Sequence, residues 1–203
     1  MAAGLVVGAA SLASAQVSFV GTTSFRFNGA GLFGANATFQ GLTVNSGTFS
    51  AYTDGPGSVE GWSNGGTLAL SLTPNYNYGA GSGTTLDMRV TFTSPTASFQ
   101  TFAANVSGNI TSTGNGILVT WNNSPITNIP YTVPGATGTF NLSVFNFGAT
   151  ANAASASAIT GAIQENSYVP DVTPTPEPAS MGLLATGLIG VIAMARRRKN
   201  SAG

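Results

Sequence analysis

At 203 residues the chain has room for one domain of roughly 150 residues with short appendages. It contains no cysteine and no histidine, which excludes disulfides, thiol chemistry, histidine-dependent triads and zinc sites built on either residue. Only 6% of residues are charged, and residues 16–170 hold just Arg26 and Arg89 against Asp54, Glu60, Asp87 and Glu165, so there is no basic face for nucleic acid.

The opening "MAAGLVVGAASLASAQ" is an apolar stretch that ends in Ala13-Ser14-Ala15. Small residues at Ala13 and Ala15 are the pattern that signal peptidase reads, so residues 1–15 form a predicted signal peptide and cleavage leaves Gln16 first. No lysine or arginine precedes the apolar stretch. Either the terminal amine supplies the positive charge or the start codon lies upstream.

Residues 16–170 form the predicted exported body, or ectodomain. The 42% hydrophobic content and twelve phenylalanines argue for a packed core, and Thr, Ser, Asn, Gln and Gly must cover the surface in place of ions. In chain order, "VSFVGTTSFRF", "GTFSAYT", "TLALSLT", "TTLDMRVTFT", "ASFQTFAANVSG", "GILVTW" and "TFNLSVFNF" read as strands. The fourth is the clearest: Leu86, Met88, Val90 and Phe92 alternate with polar residues, so one face is buried. Asp87 and Arg89 then share the outward face and are placed to pair. In "TFNLSVFNF", Phe140, Leu142 and Val144 face the core, and Phe145 and Phe147 the other side. The segment 149–165 alternates enough to favour strands over an alanine-rich helix. Seven to ten short strands with no long helix imply an all-β fold, an antiparallel β-sandwich or jelly roll. Edge strands without lysine make self-association an expectation.

Few residues in the body offer chemistry. Asp54 and Glu60 share the loop "YTDGPGSVEGW", where a carboxylate-dependent glycoside hydrolase would need both, but the same residues suit a turn. With Asn64 they supply oxygen ligands for at most a structural calcium ion, and no Asp-x-Asp spacing strengthens that reading. No cofactor and no enzymatic activity are expected. Tyr76 and Tyr78 in "NYNYGAGSG", and Trp121 before "NNSP", are candidates for stacking on sugar rings, which would make the body a carbohydrate-binding module; burial in the core is the competing fate.

The linker 171–175 leads to Pro176-Glu177-Pro178. The two prolines hold Glu177 on a stiff, extended segment. Residues 179–195 then run without a charge; as a helix they span about 25 Å, slightly short of a ~30 Å hydrocarbon core, and form a predicted single transmembrane helix. Arg196, Arg197, Arg198 and Lys199 act as a stop and place that end in the cytoplasm, with the body outside.

This order of Pro-Glu-Pro, apolar run and cationic end over residues 176–200 resembles the PEP-CTERM sorting signal. The resemblance implies a Gram-negative bacterial protein, processed near the Pro-Glu-Pro motif by an exosortase, a multi-pass membrane enzyme. It further implies association with the cell surface, extracellular matrix or biofilm in bacteria that make extracellular polysaccharide. It says nothing of the body's family. The expected partners are therefore signal peptidase, exosortase, the membrane and extracellular polysaccharide. The expected role is that of an exported structural protein.

Overall fold

The computed structural model describes residues 16–71, 75–78, 83–110, 116–150 and 156–171. Among them lie β1 (Val17–Phe27), β2 (Asn36–Phe39), β3 (Leu42–Ser46), β4 (Thr48–Thr53), β5 (Val59–Trp62), β6 (Gly66–Leu70), β7 (Tyr76–Asn77) and β8 (Thr85–Ser94). There follow β9 (Thr96–Ala97), β10 (Gln100–Ile110), β11 (Gly116–Trp121), β12 (Ile126–Val133), β13 (Ala136–Val144), β14 (Phe147–Thr150), β15 (Ser157–Ala158) and β16 (Gly161–Pro170). The body is all-β and its pairings are antiparallel, as the alternating pattern predicts. No helix among the described residues is long and apolar enough to cross a membrane, and the predicted span 179–195 lies outside them.

The strands divide among three sheets. The largest runs β14-β11-β10-β8-β1-β4, with β7 added against β10; a second runs β5-β16-β13-β12-β9, and a third β15-β6-β3-β2. Alternation explains the layering. In β1, Val17, Phe19, Gly21, Thr23, Phe25 and Phe27 are buried and the residues that alternate with them are not. In β8 the four predicted inward residues, Leu86, Met88, Val90 and Phe92, are all buried. These inward faces meet the smaller sheets through aromatic contacts. Phe19 and Phe92 pack on Phe140 with ring centroids 4.9 and 5.1 Å apart, and Phe49 lies 4.9 Å from Trp62. Phe27 reaches Phe39 of the third sheet at 5.7 Å. Each such ring contributes about 1.5–3 kcal/mol by leaving water.

Turns follow from residue type. Gln40 and Gly41, with φ of 46° and 86°, close the β2–β3 hairpin as a two-residue loop whose twist suits paired strands. Within the segment 149–165 the described residues give the end of β14, β15 and the start of β16, with short irregular stretches at 156 and at 159–160. The expected continuation past Val144 differs. The strand ends there, Phe145 is 50% exposed, and Phe147 begins β14 in the large sheet, where its half-buried ring packs near Trp121.

Candidate functional site

The sorting residues Pro176, Glu177 and Pro178, the cations Arg196 to Lys199, and Ala13 and Ala15 all lie outside the described residues. Gln16 is the first described residue, and its side-chain amide donates to Asp54 Oδ1 at 3.2 Å.

Of the three aromatic candidates for sugar stacking, Tyr78 and Trp121 take core positions and Tyr76 packs against the core. Tyr78 is 1% exposed, because β7 pairs with the end of β10 and turns the ring inward. Its hydroxyl donates to the carbonyl oxygens of Phe39 and Gln40. Burial, and then the neighbouring Tyr76, push its phenol well above the ordinary tyrosine range. Tyr76 is half-buried against Phe39 and Tyr78. Trp121 is 6% exposed, and its indole N–H donates to the Phe145 carbonyl at 3.1 Å. A stacking platform needs an open ring face, and Tyr78 and Trp121 offer none.

Asp54 and Glu60 are exposed, on the turn after β4 and in β5 respectively. The Asp54 backbone N–H donates to Ser58 Oγ at 3.1 Å, which is turn geometry. Asn64 takes a left-handed conformation at φ 66°. Among the described residues no three His, Cys, Asp or Glu side chains cluster as a metal site would need.

Two other constellations carry the body's chemistry. The first is Glu165, fully buried on β16. Its inward direction follows from alternation with Ile163, and a bulge at Asn166 resets the strand immediately afterwards. Thr53 Oγ1 donates to Oε2 and the Tyr131 hydroxyl to Oε1, each at 2.6 Å. Thr53 belongs to the large sheet and Tyr131 to the second, so one carboxyl ties two layers together. Burial, followed by the hydrogen bond and charge of Glu165, pushes the Tyr131 phenol well above its ordinary range.

The second constellation lies on the outward face of the large sheet and gathers both cations of the body. Register sets Arg26 opposite Asp87 and Ser24 opposite Arg89, while Thr101 of β10 flanks Arg89 on its other side. Arg26 Nε donates to Asp87 Oδ2 at 2.8 Å. The expected Asp87–Arg89 pairing within one strand gives way to this cross-strand bond, because residues directly opposite on paired strands approach more closely than residues two apart along one strand. Phe33 then covers both arginines. The chain leaving β1 folds back so that Gly34 bridges to Phe25, which sets Phe33 beside Arg26. The Arg26 and Arg89 guanidinium carbons lie 4.5 and 4.2 Å from the Phe33 ring centre, and Arg89 lies 4.7 Å from that of Phe99. Phe99 is 58% exposed. Arg89 Nε is buried and has no hydrogen-bond partner. Local sequence gave no signal for this group beyond the outward phase of Arg26, Asp87 and Arg89, since its assembly depends on long-range register.

In comparison with known proteins, residues 174–199 fit the family model of the PEP-CTERM protein-sorting motif. No curated protein and no solved structure matches the chain.

Proposed function

Proceeding from a chain that carries a PEP-CTERM sorting motif, and so is directed to an exosortase, we propose a non-enzymatic structural protein of the bacterial surface or extracellular matrix. The motif implies export and a membrane-anchored sorting step. In this reading the body is a β-sandwich of jelly-roll type, residues 179–195 form the single membrane helix, and processing near Glu177 delivers the body to the surface, matrix or biofilm. The carrying observation is the tripartite signal at 174–199 joined to a body nearly free of ions. The residue inventory supports a structural role: histidine and cysteine are absent, Glu165 is bonded to Thr53 and Tyr131, and Asp87 is bonded to Arg26.

Mass spectrometry of the protein from its native host tests the processing. The mature form should end upstream of residue 200, and an intact C-terminus reaching Gly203 in envelope fractions would contradict the proposal.

A second reading, in which the body binds extracellular polysaccharide, draws support from the Arg89–Phe99 cluster rather than from Tyr76, Tyr78 and Trp121.

A further inference from the structure

We propose that Arg89, with Phe33 and Phe99 on its flanks, is a binding site for a sugar ring that carries a carboxylate, such as a uronate residue of an acidic polysaccharide; this rests on the polysaccharide-binding reading and is independent of how the C-terminus is sorted. Four observations converge. Among the described residues Arg89 has no carboxylate within salt-bridge distance, because the one acidic neighbour on that face, Asp87, is bonded to Arg26. Its guanidinium carbon lies over two aromatic rings, 4.2 Å from the centre of Phe33 and 4.7 Å from that of Phe99, contacts made to ring faces and not through a hydrogen bond. Its Nε has no partner, the kind of orphan donor that calls for an explanation. Finally, two arginines against one aspartate make this face locally cationic in a body whose other carboxyl groups, Asp54, Glu60 and Glu165, lie elsewhere.

The surroundings point to a sugar rather than a bare anion. A guanidinium fork matches the two oxygens of a carboxylate. Beside it Phe99 is 58% exposed and offers an apolar surface for the C–H face of a pyranose. The neighbours of Arg89 across the sheet, Ser24 and Thr101, are short hydroxyl residues that leave room above the strand and exchange hydrogen bonds with ring hydroxyls. A groove of about 380 Å³ adjoins, sharing Ser24 and Phe33 and continuing past Thr22, Ser46 and Thr48. It gives the neighbouring unit of a polymer a hydroxyl-lined path. A carboxylate, an apolar ring face and a surround of hydroxyls are the three features of a uronate unit.

The test is retention of the full-length protein, in detergent micelles, on immobilised polygalacturonate, its fully methyl-esterified form, neutral dextran and poly-glutamate. Wild type should be retained on polygalacturonate alone, with retention that falls as salt rises. Arg89→Gln should weaken it about tenfold, the loss expected for a charge-assisted contact, and Phe99→Ala should weaken it by a similar factor through loss of the stacking surface; Phe99 is 58% exposed, so its variant keeps the fold. Equal retention on the methyl ester or dextran, or variants that bind like wild type, would overturn this site while leaving polysaccharide binding standing. Equal retention on poly-glutamate would reassign the ligand to acidic peptide, and no retention on any polymer would sink both this site and the reading beneath it.

Discussion

Tyr131 donates a 2.6 Å hydrogen bond to Glu165, and both residues are buried at the meeting of the large and second sheets. Thr53 supplies the other carboxyl oxygen with a donor at the same distance. A buried acidic side chain is tolerable only when its oxygens are satisfied, and these two hydroxyls do that without a cation. Glu165→Ala removes the acceptor, strands the Thr53 hydroxyl and leaves the Tyr131 hydroxyl only the long contact to the Ser167 carbonyl oxygen at 3.4 Å, with an expected loss on the order of 3 kcal/mol. Tyr131→Phe removes one bond and should cost about 1–2 kcal/mol. Urea denaturation of the variants and of the double mutant would show non-additive losses, since the two changes remove one shared contact.

The same tyrosine sets an alkaline limit. The folded-state pKa values of Tyr131 and Tyr78 are raised above the ordinary 10.0. Above about pH 10 the unfolded chain therefore loses these protons before the folded one does. The stability they contribute is complete below that pH and declines as pH rises toward the folded values. Melting temperature measured from pH 8 upward should be flat and then fall beyond about pH 10, and Tyr131→Phe should make the fall shallower.

Packing around Trp62 gives a sharper test. The ring is buried against the backbone of Gly161, where an added Cβ would meet both the ring and the Ser143 carbonyl oxygen. Gly161→Ala should destabilise by about 2–4 kcal/mol through overpacking between paired strands. Gly61, directly across on β5 at Ala162, has only the Gly161 carbonyl oxygen near its Cβ site, at 3.9 Å. Gly61→Ala should then stay within about 0.5 kcal/mol of wild type in the same denaturation experiment.

What could be read from the chain, and what could not, follows from locality. Leu86, Met88, Val90 and Phe92 announce their strand because one-sided burial has a two-residue period. β12 hides: Pro130 sits within it, and a bulge near Asn128, at φ 55°, breaks the alternation. Tyr76 and Tyr78 look like loop residues among Asn and Gly, yet pairing with Asn109 and Ile110 carries them to the core. The arginine cluster depends on residues 61 positions apart meeting in register, which no local pattern encodes. The sorting motif was plain because its meaning lies in linear order.

Phe33 holds the arginine face together. Removing its ring in Phe33→Ala takes away contacts to both guanidinium groups, each worth about 0.5–1 kcal/mol at an exposed site. Denaturation should register a loss of about 1–2 kcal/mol. Asp87→Asn instead breaks the Arg26 bond and should cost about 1 kcal/mol, less at high salt.

Sorting through the C-terminal motif is the claim on which the functional account stands. The direct measurement is the intact mass of the protein recovered from its native host, compared with a variant in which Pro176, Glu177 and Pro178 are all alanine. The account predicts that the wild-type chain is shortened from its C-terminus and that the variant keeps its mass through Gly203. Identical processing of the two chains, or none in either, would contradict it.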